Sequence, residues 1–108
     1  MARAFGTRST SGDGTAVIAA PGAGLRIVIY GWRIQAEVDG DQVVLLKSGS
    51  TSLKRFFMAT KAQGIVEDLS GENETDKRVY CGANEAVFVN LSASLAMNYD
   101  IDYYVDGV

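Results

Sequence analysis

Met97-Asn98-Tyr99-Asp100-Ile101-Asp102-Tyr103-Tyr104-Val105-Asp106 decides the fold. Met97, Tyr99, Ile101, Tyr103 and Val105 fall on one side of a two-residue period, and Asn98, Asp100, Asp102, Tyr104 and Asp106 on the other. Successive side chains of a strand point to opposite faces, so this run reads as a strand with one apolar and one acidic face. A helix would scatter the carboxylates around its circumference and leave no clean face for a core.

Upstream, apolar or β-branched runs recur at Ala16–Ala20, Leu25–Val38, Gln42–Lys47, Ser52–Ala59, Gly64–Leu69, Lys77–Cys81 and Ala86–Ser92. Between them lies turn chemistry: Pro21-Gly22-Ala23-Gly24, Asp39-Gly40, Ser48-Gly49-Ser50, Ser70-Gly71-Glu72-Asn73 and Gly82-Ala83-Asn84. Short strands at this spacing predict an all-β sandwich or barrel. Leu25–Val38 is long for one strand, and Gly31 at its middle predicts a bulge or bend. Thr60–Ile65 could hold a single turn, and no window has the spacing of an amphipathic helix. The expected architecture is an antiparallel jelly-roll or β-sandwich of about eight strands, residues 15–108, preceded by an extended N-terminal arm over residues 1–14. That arm, rich in Ser, Thr and Gly, reads as extended or as a loose first strand.

The chain has 108 residues, one domain by length, and 47% of them are apolar, ordinary for a folded domain. So short a chain has little core to spare, and an oligomer interface would be a natural supplement. Net charge is −3, unevenly spread: residues 1–66 hold eight of the ten Lys and Arg, and residues 67–108 hold nine of the thirteen Asp and Glu. A basic head and an acidic tail suit ordinary solvated faces, or a surface that pairs with another protein. Neither the balance nor the pattern, which lacks a basic stripe, points to nucleic acid. The opening residues lack the apolar run of a secretion signal, and the longest apolar run, Ala16 to Pro21, is too short to span a membrane. The expectation is a soluble chain made in a cytoplasm, with no membrane partner.

Chemistry is poorly provided for. There is no histidine and one cysteine, Cys81, so a Ser-His-Asp triad, a Cys-His pair and a Cys/His zinc site are all ruled out. Cys81 reads as a small buried hydrophobe. Asp100, Asp102 and Asp106 are the best candidates for a hard cation such as calcium, but carboxylates two apart on a strand lie about 6–7 Å apart and need a loop's help. Glu72, Glu74 and Asp76 form a second acidic group. No cofactor motif is present: Gly22-Ala23-Gly24 lacks a third glycine and a following helix. Trp32 and Tyr30 share a face with Val28 and Ile34 by simple alternation, which predicts core or interface packing. The chain is read as one that is not an enzyme.

Gly12-Asp13-Gly14-Thr15-Ala16-Val17-Ile18-Ala19-Ala20, the long run Leu25–Val38, Val43-Val44-Leu45-Leu46-Lys47-Ser48-Gly49-Ser50-Thr51, Val89-Asn90-Leu91-Ser92-Ala93 and the closing Tyr99–Val105 follow one another in a recognisable order. The pattern covers roughly residues 10 to 106 and resembles the jelly-roll capsid decoration (cement) proteins of tailed bacteriophages. The resemblance implies a virion structural protein on the outer surface of the head, clamping neighbouring capsid subunits against internal pressure. Its implied partners are the major capsid protein and itself, as a homotrimer ahead of a dimer. An N-terminal arm in such a protein would reach a neighbouring subunit, with Phe5 as apolar anchor and Arg3 and Arg8 meeting an acidic shell surface. A phage tail component, or a receptor- or carbohydrate-binding β-sandwich module using Trp32 or Tyr104, is the alternative expectation, and either reading could be calcium-dependent.

Overall fold

The computed structural model describes residues 2–68 and 78–108. Within them the chain forms eight strands and no helix: β1 (Ala2–Arg8), β2 (Leu25–Ala36), β3 (Gln42–Ser48), β4 (Thr51–Met58), β5 (Gly64–Asp68), β6 (Val79–Tyr80), β7 (Val87–Leu91) and β8 (Met97–Gly107). All the strand pairings among them are antiparallel. One sheet runs β1-β8-β2-β5, and the other β4-β3-β7. Among these residues no helix is long and apolar enough to cross a membrane.

Two details complete the topology. β8 occupies one edge of β2 along its whole length, so β5 and β6 share the other: β5 lies opposite Gly31–Gln35 and β6 opposite Val28 and Ile29. They are two pieces of one strand line, separated by the segment that carries Glu72, Glu74 and Asp76, which lies outside the described residues. In the second sheet, the run expected as a strand at Ala16–Ala20 makes only isolated bridges. Gly12 meets Leu91 and Ile18 meets Val87, so the segment lies along the free edge of β7. With it in place, the two sheets have the strand order of a jelly roll, in which paired Greek keys fold one long antiparallel ribbon into two layers.

The core lies between the sheets. Ile27, Ile29, Trp32 and Ile34 of β2 and Met97 and Ile101 of β8 meet Val44, Leu46, Met58, Val89 and Leu91 from the opposite layer. The alternation of β8 holds: Met97 and Ile101 are buried, Tyr99 and Tyr103 pack on the core, and the acidic residues face outward. The bend expected at Gly31 is a register shift between Ile29 and Gly31, which leaves Tyr30 as the extra residue. Its consequence corrects the single-face reading of Tyr30, Trp32, Val28 and Ile34. Before the bulge the odd residues Ile27 and Ile29 enter the core, and after it the even residues Trp32, Ile34 and Ala36 do. An extra residue flips every later side chain to the other face. Val28 and Tyr30 therefore lie on the outer side, where the Tyr30 and Tyr104 rings stand 6.1 Å apart.

Residues 2–8, inside the stretch read as an extended arm or a loose first strand, form β1, paired with β8 from Ala2↔Tyr103 to Arg8↔Met97. Ala4 packs on the core edge, and Gly6 lies over the Tyr99 ring, where an added Cβ would come within 2.9 Å of the hydroxyl. Elsewhere the turns follow their residues. The β3–β4 hairpin closes through Gly49-Ser50, with Gly49 at φ 55°, the left-handed value a two-residue hairpin asks of its first position. The turn expected at Thr60–Ile65 is confined to Thr60–Gln63, where the Gln63 N–H donates to the Thr60 carbonyl, and β5 starts at Gly64.

Candidate functional site

The outward face of the first sheet gathers most of the residues singled out from sequence. Register fixes its rows. One row across the sheet is Phe5–Asp100–Arg33–Val66, and its neighbours are Arg3–Asp102–Gly31 and Thr7–Asn98–Gln35. Because side chains two apart share a face, the acidic stripe of β8 lies between basic residues of β1 and β2.

The charges answer one another. Arg33 Nη2 donates to Asp102 Oδ2 at 2.9 Å and its Nε to Asp100 Oδ2 at 3.4 Å. From the other side, Arg3 Nε donates to Asp102 Oδ1 at 3.3 Å. The same nitrogen is 3.2 Å from Asp100 Oδ1, which accepts no hydrogen bond, so that contact is an ion pair without alignment. Asp102, and then Asp100, hold the Arg33 guanidinium above its ordinary pKa by accepting its hydrogen bonds. Further along, Arg26 Nη2 reaches Asp106 at 3.3 Å. The three carboxylates proposed as cation ligands are thus engaged by arginines. Among the described residues no group of three or more Asp, Glu or Cys could hold a metal ion. Half-exposed pairs of this kind stabilise modestly, but cross-linked through shared carboxylates they fix the pattern of the face.

Around this neutralised centre stand apolar side chains. Phe5 is 72% exposed and Val66 66%, at opposite flanks of the same row. A shallow open depression of about 440 Å³ lies over Phe5, Thr7 and Asp100.

The three residues expected to meet a shell surface sit differently. Phe5 points outward and is mostly exposed. Arg3 is more than half exposed and shares its charge with Asp100 and Asp102. Arg8 turns the other way, between the layers: its Nε donates to the Val89 carbonyl at 3.1 Å and its Nη2 to those of Thr10 and Gly12 at 2.9 and 2.8 Å. Arg8 ties β1 to β7 and sets the path of the segment beyond it. Below that path, Asp13 accepts from Asn90 Nδ2 at 2.7 Å and from Lys47 Nζ at 3.0 Å. The Asn90 hydrogen bond, followed by that of Lys47, holds the Asp13 carboxyl below its ordinary value of 3.8.

The aromatic residues considered for sugar stacking are occupied. Trp32 is 5% exposed, with its ring 6.2 Å from that of Phe56 inside the sandwich. The Arg78 guanidinium caps Tyr104 and Tyr30 at 5.8 and 6.0 Å. Cation–π contacts of this kind take the ring faces a sugar would need. Cys81 is buried, as its type suggested. Burial pushes its thiol up in pKa, so it is held as a neutral, poorly nucleophilic group. Beside it Gly82 N–H donates to Ser48 Oγ, and Ser48 Oγ to Glu85 Oε1, both at 3.0 Å, which pins the 81–85 turn to the β3–β4 hairpin.

What sequence reading missed here is the pairing of Arg33 and Arg26 with the carboxylates. Both arginines were visible on β2 and all three acids on β8, but only the strand order brings the two runs side by side. Val66 carried no signal beyond an apolar residue within a short run.

No protein-family model matches the chain, and no curated protein sequence matches it. Among solved structures, the chain is similar to the coat protein of tobacco streak virus, solved as a dimer, at a TM-score of 0.29 and 17% identity over 93% of this chain and 84% of that one.

Proposed function

We propose that the chain is a decoration protein of a tailed bacteriophage head, bound to the outer surface of the shell and stabilising it by bridging neighbouring copies of the major capsid protein. The observation that carries this reading is the outward face of the first sheet. Arg3, Arg33, Asp100 and Asp102 balance one another at its centre, and Phe5 and Val66 stand exposed at its flanks. A broad face with a charge-balanced middle and apolar anchors suits protein–protein recognition. The order of turns and strands resembling cement proteins supports the same reading.

The role is structural. Phe5 would seat in an apolar recess of the shell, and Arg3, still partly in solvent, would share its charge with an acidic shell group. Arg8 would act through position, by anchoring β1. Self-association would add avidity: each protomer contributes a contact, and linked contacts hold a shell without any one being strong.

Cosedimentation tests this. Purified chain mixed with expanded empty heads that lack it should pellet with them saturably. Phe5→Ser should weaken that binding roughly tenfold, the loss expected for an interface anchor. Wild-type protein that stays in the supernatant at micromolar concentrations would sink the proposal.

A further inference from the structure

The described sheets have four edges, and three are protected. β7 is covered by the Gly12–Ile18 segment. β4 carries exposed Lys54 and Arg55, and its register with β3 slips between Leu46 and Lys47. β5 is five residues long and ends on exposed Glu67 and Asp68. Covering elements, charges, irregularities and shortness are how proteins stop a free edge from pairing.

Among the described residues β1 has no covering element and no slip in register, and its two charges are committed elsewhere, Arg3 to Asp100 and Asp102 and Arg8 to carbonyls between the layers. It is seven residues long, paired in regular register with β8 on one side and, among the described residues, with no strand on the other. Its sequence, Ala2-Arg3-Ala4-Phe5-Gly6-Thr7-Arg8, is mostly small. Its polar side chains all lean inboard: Arg3 to Asp100 and Asp102, Thr7 Oγ1 to Asn98 Oδ1 at 2.7 Å, and Arg8 to the carbonyls between the layers. Among the described residues no strand takes up the backbone N–H and C=O groups of its outboard side.

We infer that β1 pairs antiparallel with β1 of a second copy, joining two first sheets into one continuous sheet. Pairing about a two-fold axis perpendicular to the sheet keeps both core layers on the same side and matches residues of like parity. The register that uses all seven residues centres on Phe5, with Phe5 opposite Phe5 of the other copy. Arg3 then faces Thr7 and Arg8 faces Ala2, so no like charges oppose. The two Phe5 rings form a cross-strand aromatic pair, a favourable neighbour on one sheet face. They stay on the outward face, so that under the shell reading the two rings would meet the shell as one paired anchor. A two-fold contact of this kind closes at two copies.

The inference stands on the edge alone, not on the shell reading. Light scattering on the isolated chain should give a dimer, and Phe5→Lys, which sets two charges against each other at the axis, a monomer with unchanged β circular dichroism. Phe5→Cys should cross-link under mild oxidation, because opposed Cβ atoms lie about 4.5–5.5 Å apart, within small adjustment of disulfide range. Thr7→Cys should not, since its symmetry mate lies four residues along, roughly 13 Å away. A monomer at all concentrations, a dimer that survives Phe5→Lys, or equal cross-linking through Thr7→Cys would overturn the inference. A dimer that ignores heads would overturn the shell reading and leave this one standing.

Discussion

β8 and β1 run side by side in one sheet but are held in it by different forces. β8 is paired on both edges, by β1 and β2, and drives Met97 and Ile101 into the core. β1 is paired on one edge, buries little beyond Ala4 and shows Phe5 to solvent. Apolar burial fixes the first, while backbone pairing and arginine contacts fix the second. A central strand carries its instructions in its own side chains, and an edge strand borrows them from its neighbour. That division also frees the edge strand's outward side chains for a partner.

The sharpest way to break the contrast is a truncation in each strand. Ile101→Ala removes a side chain that is 1% exposed and should cost about 2–5 kcal/mol, seen as a lower urea midpoint at unchanged slope. A cost near zero would mean that β8 does not anchor the core.

A smaller effect should come from Asp13, which holds the segment between β1 and β2 against Lys47 and Asn90. Its folded pKa is depressed, so its contribution is fully present above the ordinary value of 3.8 and is lost as pH falls through the folded pKa. Urea midpoints measured from about pH 6 downward should show wild type ahead of Asp13→Asn, with the two curves converging in acid below the carboxylate range. Parallel curves would remove that tie from the account.

The smallest effect belongs to Phe5. Phe5→Ser, at a site 72% exposed, should change the stability of the isolated protomer by less than about 0.5 kcal/mol while weakening binding to heads. A large loss of stability would make Phe5 a folding residue and not an interface residue.

The same contrast explains what the sequence made legible. The alternation of Met97–Asp106 revealed β8 and its faces, and Gly31 revealed the bulge in β2. The bulge's consequence, moving Trp32 into the core and Tyr30 out of it, needed the count of residues opposite β8, which no local pattern contains. β1 was readable as extended or as a loose first strand but its partner was not, because Ala2, Ala4 and Gly6 have weak strand preferences and their order comes from β8, far away in sequence. The Arg33–Asp100–Asp102 network was invisible for a related reason. Each residue type was evident, but their meeting depends on a strand order that joins β2 to β8 across most of the chain.

The most direct test of the functional claim is the heat stability of phage heads. Expanded heads without the chain, scanned by calorimetry alone and with the purified protein at saturation, should melt at a higher temperature once it is bound, and Phe5→Ser at the same concentration should recover less of that shift. Heads that melt at one temperature with or without the wild-type protein would contradict the account.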